Sequence, residues 1–133
     1  MAKGTHPLPP EFEMVRRVAL AFPGVEERTS YGTPSFHIGK KFFSRWNDKE
    51  GALVLRVEID ERIILVEADP ETFFVTDHYR GWPFVLARLS TISEWTLRRL
   101  LEQGWRELSP KRVVDAYDEQ IPANGAVTDQ HRP

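Results

Sequence analysis

The chain has 133 residues, a formal net charge of −2, a calculated pI of ≈ 6.1 and no cysteine. This length predicts one domain with a core of its own, and the lack of cysteine excludes a disulfide scaffold, a thiolate nucleophile and an iron–sulfur cluster. No apolar run approaches the roughly 18–20 residues that span a bilayer, and no secretory signal opens the chain, so we expect a monomeric cytoplasmic protein away from membranes.

The amino-terminal part predicts a mobile arm followed by a helix. Residues 1–9 contain two prolines and a glycine but little apolar content, which is typical of a flexible segment. Pro10 fits the first turn of a helix, and Pro23 with Gly24 ends one. Between them, apolar residues recur at steps of three and four, at Phe12, Val15, Val18, Ala19 and Phe22.

The next segment changes from helical to strand periodicity. Strands of an antiparallel meander are predicted at residues 28–31, 35–38, 41–46 and 52–57. Gly39 and Lys40 form the expected tight turn of the central hairpin. Simple alternation predicts that His37, Lys41, Phe43 and Arg45 share one side of this hairpin, opposite Phe36, Ile38, Phe42 and Trp46.

The carboxy-terminal half alternates between helix and strand signals. Residues 60–68 contain a strand-prone Ile-Ile-Leu-Val run, but acidic residues before it and Pro70 after it favour a helix. Residues 83–89 predict a last strand. A Thr-x-x-Glu capping box at Thr91 starts another helix, whose apolar face is Ile92, Trp95, Leu100 and Leu101 and whose C′ residue is Gly104.

A final helix is predicted after Pro110, and the last residues carry no regular pattern. We therefore divide the chain into an arm (1–9), one domain (10–119) and a flexible tail (120–133). The order of helices and strands predicts an α+β class, with helices packed on an antiparallel sheet of about five strands.

Three blocks of sequence carry a family resemblance. They are EERTSYGTPSF at 26–36, ADPETFF at 68–74 with HYRGW at 78–82, and PKR at 110–112. Their order and spacing resemble the MmcQ/YjbR family, small cytosolic proteins usually labelled DNA-binding, over roughly residues 11–118. The resemblance implies a two-layer sandwich similar to CyaY and frataxin.

The distribution of charge favours one stretch of the chain for binding an anion. Residues 80–112 hold seven basic and three acidic side chains, whereas residues 58–77 hold seven acidic side chains and only Arg62. With the resemblance, this excess indicates weak, sequence-tolerant DNA binding through phosphates. The candidate contacts are Arg80, Lys111 and Arg112, with a second wing at Lys40, Lys41 and Arg45.

Each of these candidates also has a plain structural interpretation. Lys111 and Arg112 occupy the first turn of a helix, where the helix dipole disfavours cations, and they can instead pair with Asp115. A rival function is a small-ligand or protein-interaction adaptor with an aromatic pocket at the sheet edge. Its lining residues would be Tyr31, His37, Tyr79 and Trp82.

Metal and catalytic signals are weak in this sequence. The four histidines are scattered, and neither H-x-x-x-H nor H-E-x-x-H occurs. The fold resemblance raises iron, but the first helix sets Glu11 and Glu13 beside Arg16 and Arg17, unlike the carboxylate-rich first helix of frataxins. No nucleophile elbow or glycine-rich phosphate loop is present. We expect no catalytic residue, metal or cofactor.

Overall fold

A six-stranded antiparallel sheet with helices against one face forms the molecule, in a computed structural model that describes residues 6–120. The strands are β1 (Val25–Ser30), β2 (Thr33–Ile38), β3 (Lys41–Asn47), β4 (Ala52–Arg56), β5 (Phe73–Phe74) and β6 (Phe84–Ala87). The helices are α1 (Phe12–Leu20), α2 (Ile59–Ala68), α3 (Glu94–Leu108) and α4 (residues 111–120), with a 3₁₀ turn at Asp77–Tyr79.

The strand order β1-β2-β3-β4-β6-β5 confirms the predicted α+β class and the antiparallel sheet. The contested segment is helical, as α2. Strand β5 was not predicted from the sequence; it has only two residues and pairs with β6. A strand of that length is too short to show a period of two. Residues 1–5 of the predicted arm and 121–133 of the predicted tail lie outside the described residues.

The two faces of the sheet hold two separate apolar clusters. The larger lies between the sheet and helices α1 and α3, and α4 packs against it through Val113, Val114 and Tyr117. The smaller lies on the opposite face, which we call the second face, and its buried members are Ala52, Val54, Tyr79 and Leu86. Adjacent residues of β4 point to different faces, as alternation along a strand requires.

The hairpin β2–β3 departs from the predicted alternation because it contains a β-bulge. Phe36 pairs with Ser44 and His37 pairs with Phe42, so Phe43 is an extra residue in β3. The bulge turns Phe43 into the larger cluster, where only 1% of it is exposed, and leaves Phe42 on the second face. The prediction that Phe43 shares a side with His37 was therefore wrong.

Helix α3 also corrects the sequence prediction at both ends. Its N-cap is Ser93, whose Oγ accepts a hydrogen bond from the Thr96 N–H, rather than Thr91. Trp95 is 68% exposed and does not belong to the apolar face. Gly104 does not end the helix, which continues to Leu108. A Cβ at this position would be 3.2 Å from Phe43 Cε1. The glycine lets α3 approach β3 closely.

Candidate functional site

One end of the molecule brings the β2–β3 turn to the start of α4. Lys41 Nζ donates a hydrogen bond to the main-chain oxygen of Leu108, at 3.1 Å, where α3 ends. Since α4 begins three residues later, at most about 11 Å of chain separates this contact from Lys111. We call the four exposed cations that these two segments carry the basic end; they are Lys40, Lys41, Lys111 and Arg112.

The ion pairs of the basic end leave part of its charge uncompensated. Lys111 Nζ lies 2.7 Å from Asp115 Oδ2, and this hydrogen bond raises the pKa of Lys111 above its ordinary value. Within residues 6–120, no carboxylate makes an ion pair with Lys40 or Arg112. The N–H groups of Lys111 and Arg112 add donors, because N–H groups at the start of a helix have no partner inside it, whereas those of Val113 and Val114 donate to the Pro110 oxygen. The basic end can therefore meet an anion without breaking an ion pair of Lys40 or Arg112.

The other two cations predicted to bind nucleic acid lie elsewhere. Arg80 pairs with Asp77 at 3.1 Å in the loop before β6, and β4 separates that strand from β3. Arg45 lies on the second face, half-buried, and donates to the Trp46 oxygen and to Tyr79 Oη. The predicted wing of Lys40, Lys41 and Arg45 is thus divided: its two lysines join the basic end and its arginine does not.

Arg45 belongs instead to a polar cavity of about 300 Å³ on the second face. Arg45 Nη2 and Asn47 Nδ2 each donate to Tyr79 Oη, both at 3.2 Å. The Asn47 amide is oriented by the Glu50 N–H, which donates to its Oδ1 at 3.0 Å. The cavity is lined by Tyr31, Arg45, Asn47, Asp48, Lys49, Glu50, Thr76, His78 and Tyr79.

Tyr31 stands at this cavity in an unfavourable backbone conformation. It forms a two-residue turn with Gly32, between the paired ends Ser30 and Thr33, and both turn residues have positive φ, 54° and 81°. Such turns favour asparagine or glycine at the first position, because a Cβ is strained at positive φ. The side chain recovers nothing by packing, since it is 97% exposed. Packing alone does not account for a tyrosine here.

His37 and Trp82, the other two residues predicted to line an aromatic pocket, do not line this cavity. His37 Nε2 is 3.0 Å from Ser35 Oγ, which is 2.9 Å from Ser30 Oγ, and its ring meets Phe42 edge-on. Burial, and then the charge of Arg28, lower the pKa of His37. Trp82 is 62% exposed in the loop before β6. Of the four predicted residues, only Tyr31 and Tyr79 line the cavity.

A buried arginine that the sequence analysis did not select holds the loop carrying Tyr79. Arg62, in α2, is 5% exposed and donates to four main-chain oxygens at 2.8–3.2 Å. They belong to Tyr79, Arg80, Trp82 and Phe84. The signal for it was present: Arg62 is the one basic residue in the acidic stretch 58–77 and lies beside an Ile-Ile-Leu-Val run.

The part of the chain that is described holds neither a metal-ion cluster nor a membrane-spanning helix. Residues 6–120 contain no group of three or more histidine, aspartate or glutamate side chains placed to hold a metal ion. Over the same range, none of the helices combines the length and the apolar character that crossing a membrane requires.

Comparison with known proteins gives a family and a fold. A family profile described as YjbR matches residues 20–107, a span that ends before the PKR block. Uncharacterized protein Rv2570 of Mycobacterium tuberculosis and Uncharacterized protein Mb2600 of Mycobacterium bovis are each 34% identical over 56 residues. That match covers 42% of this chain and 43% of each relative, so the chain spans less than half of their length.

A solved structure supports the architecture. The crystal structure of Deinococcus radiodurans protein DR2400, with a DUF419 domain, superposes with a TM-score of 0.63 over 75% of this chain and 79% of that chain. At 19% sequence identity, the similarity establishes the fold alone.

Proposed function

Since the chain belongs to the YjbR family, we propose that it is a non-enzymatic, monomeric cytoplasmic protein that binds DNA weakly through phosphate contacts at the basic end. The observation that carries the proposal is the bond from Lys41 Nζ to the Leu108 oxygen. This bond joins two basic segments, 40–41 and 111–112, that are far apart in sequence. A phosphate backbone then meets four cations instead of two separate pairs.

The chemistry of the basic end suits phosphates and not base edges. Lys40, Lys41 and Arg112 are exposed side chains at a turn and at a helix start, and cations placed in this way neutralise phosphates but carry no sequence information. Lysine acts on a phosphate as a point charge, and arginine can bind one with two parallel hydrogen bonds. Because the whole chain has a net charge of −2, distant acidic residues oppose DNA and keep the affinity low.

The experiment that tests this proposal measures how binding depends on salt. Fluorescence anisotropy with a labelled duplex, between about 50 and 200 mM salt, should give a log–log slope near −3 to −4 if four cations each neutralise one phosphate. Two duplexes of unrelated sequence should give the same affinity. No binding by the parent protein at about 50 mM salt would overturn the proposal.

A pair of matched double variants locates the contact. Lys40→Gln with Arg112→Gln removes two cations that have no carboxylate partner within residues 6–120, so the fold should be unaffected. We expect weaker binding and a slope shallower by about 1.8. The control, Arg17→Gln with Arg98→Gln, removes equal charge from two exposed partners of Glu94 at the other end of α3. Equal losses in the two variants would contradict a contact at the basic end.

A further inference from the structure

The cavity on the second face presents hydrogen-bond donors for which residues 6–120 supply no acceptor. Tyr79 Oη accepts bonds from both Arg45 and Asn47, which occupies its two lone pairs and leaves its own proton to donate. Tyr79 is 8% exposed and lines the cavity, so an acceptor bound in the cavity could take up that proton's hydrogen bond. A buried donor without an acceptor is costly unless something else supplies one.

Arg45 adds charge to the same place. Its guanidinium has five N–H donors, and in residues 6–120 its partners are the Trp46 oxygen and Tyr79 Oη, with no carboxylate in an ion pair. A half-buried arginine without a carboxylate in an ion pair favours an anion beside it. Together with Tyr79 and Asn47, Arg45 makes this part of the cavity a site for an oxyanion.

Tyr31 supplies a flat surface at the same cavity. Its ring is almost fully exposed although its backbone is strained, and strained residues of this kind cluster at ligand sites. An exposed aromatic ring binds a planar ring by stacking, with little selectivity. The volume of about 300 Å³ is at the lower end for ligand cavities, which limits the occupant to a small molecule.

We propose that this cavity binds a small molecule made of a planar ring that carries one oxyanion, with the oxyanion at Arg45 and Tyr79 and the ring on Tyr31. Asp48 and Glu50 also line the cavity, and their charges disfavour a polyanion. An aromatic carboxylate and a nucleoside monophosphate share the required chemistry. The site is separate from the basic end, so neither proposal depends on the other.

The test titrates the full chain with two matched pairs of probes and measures affinity by calorimetry. Indole-3-acetate is compared with acetate, and adenosine 5′-monophosphate with inorganic phosphate. We expect at least one ring-bearing probe to bind about tenfold tighter than its ring-free partner, and the pair that does so identifies the source of the oxyanion. If neither ring-bearing probe exceeds its partner, the proposal is wrong.

Two substitutions test the donor and the ring, and the Tm is measured for both because Tyr79 Oη also accepts from Arg45 and Asn47. Tyr79→Phe removes the free donor but keeps the ring, and should weaken the preferred probe about tenfold. Tyr31→Asn should weaken it about five- to a hundredfold by removing the stacking surface. The same change relieves strain in the turn, so the Tm should rise by about 3–6 °C. A loss of affinity with a gain of stability cannot come from damage to the fold.

Trp82→Ala is the matched control, because Trp82 is another exposed aromatic residue but does not line the cavity. It should leave the affinity for both ring-bearing probes unchanged. Equal effects of Trp82→Ala and Tyr31→Asn would overturn the proposal. So would a loss of probe binding in the Lys40→Gln, Arg112→Gln variant, because it would move the anion to the basic end.

Discussion

The two faces of the sheet are held by different kinds of interaction. On one face, helices α1 and α3 seal a cluster of fully buried apolar side chains, among them Phe12, Leu55 and Trp105. On the second face, a loop covers a smaller cluster and is fixed by hydrogen bonds from Arg62 and to Tyr79 Oη. The comparison indicates that the helix-covered face provides most of the stability. Polar groups on the second face are therefore available to a ligand.

Replacing one buried leucine by alanine on each face should have the largest effect on stability. The difference between the two costs tests the comparison of the faces. Leu55→Ala on the helix-covered face should cost about 4–5 kcal/mol, because rigid helices cannot close the cavity. Leu86→Ala on the second face should cost about 2–3 kcal/mol, because the covering loop can move inward. Both leucines are 0–1% exposed, so burial is matched. Urea denaturation gives both values, and equal costs would break the comparison.

Removal of the arginine that holds the loop should have the next largest effect. Arg62→Ala leaves four main-chain oxygens without their charged donor, and we expect a loss of about 2–4 kcal/mol. Hydrogen exchange should become faster in residues 76–84 while α1 and α3 stay protected. Arg62→Lys, which keeps the charge but not the fork of donors, should recover only part of the loss. Faster exchange in α3 instead would show that Arg62 supports the whole fold.

The smallest effect is the pH dependence of stability that His37, on the second face, contributes. Its pKa is lowered below 6.5 in the folded protein, so the unfolded state takes up the proton first as the pH falls. The contribution of His37 to stability is therefore lost as the pH falls through 6.5 and stops changing below the folded pKa. Unfolding free energies of the parent and His37→Gln should converge from about pH 7.5 to 5. A constant difference would contradict this.

The sequence predicted the elements well and the side-chain directions less well. Periodicity located α1 and the hairpin, because local patterns of apolar residues set both. It failed at Phe43, because a bulge is determined by how β2 and β3 pair and leaves no local pattern. Gly104 was assigned to a helix end for the same kind of reason, since its neighbour Phe43 is distant in the chain.

The candidate sites show the same limit. The charge count over residues 80–112 favoured Lys111 and Arg112, and the hairpin pattern gave Lys40 and Lys41, but only the contact of Lys41 with Leu108 brings the two segments together. Tyr31 and Tyr79 were chosen as aromatic residues in sequence blocks, and both line the cavity. Arg45 looked like a hairpin cation, and its bond to Tyr79 depends on a contact across 34 positions of the chain. Contacts of this range cannot be derived from composition.

The arginine in α2 has a consequence for how freely the loop before β6 can change its sequence. Within residues 6–120, Arg62 donates only to main-chain oxygens, which every amino acid provides, and to no side chain of the loop. Arg80 and Trp82 can be exchanged for other residues while their carbonyl groups keep the same anchor. The loop is therefore a place where evolution or an engineer can install a new recognition sequence without rebuilding the scaffold beneath it.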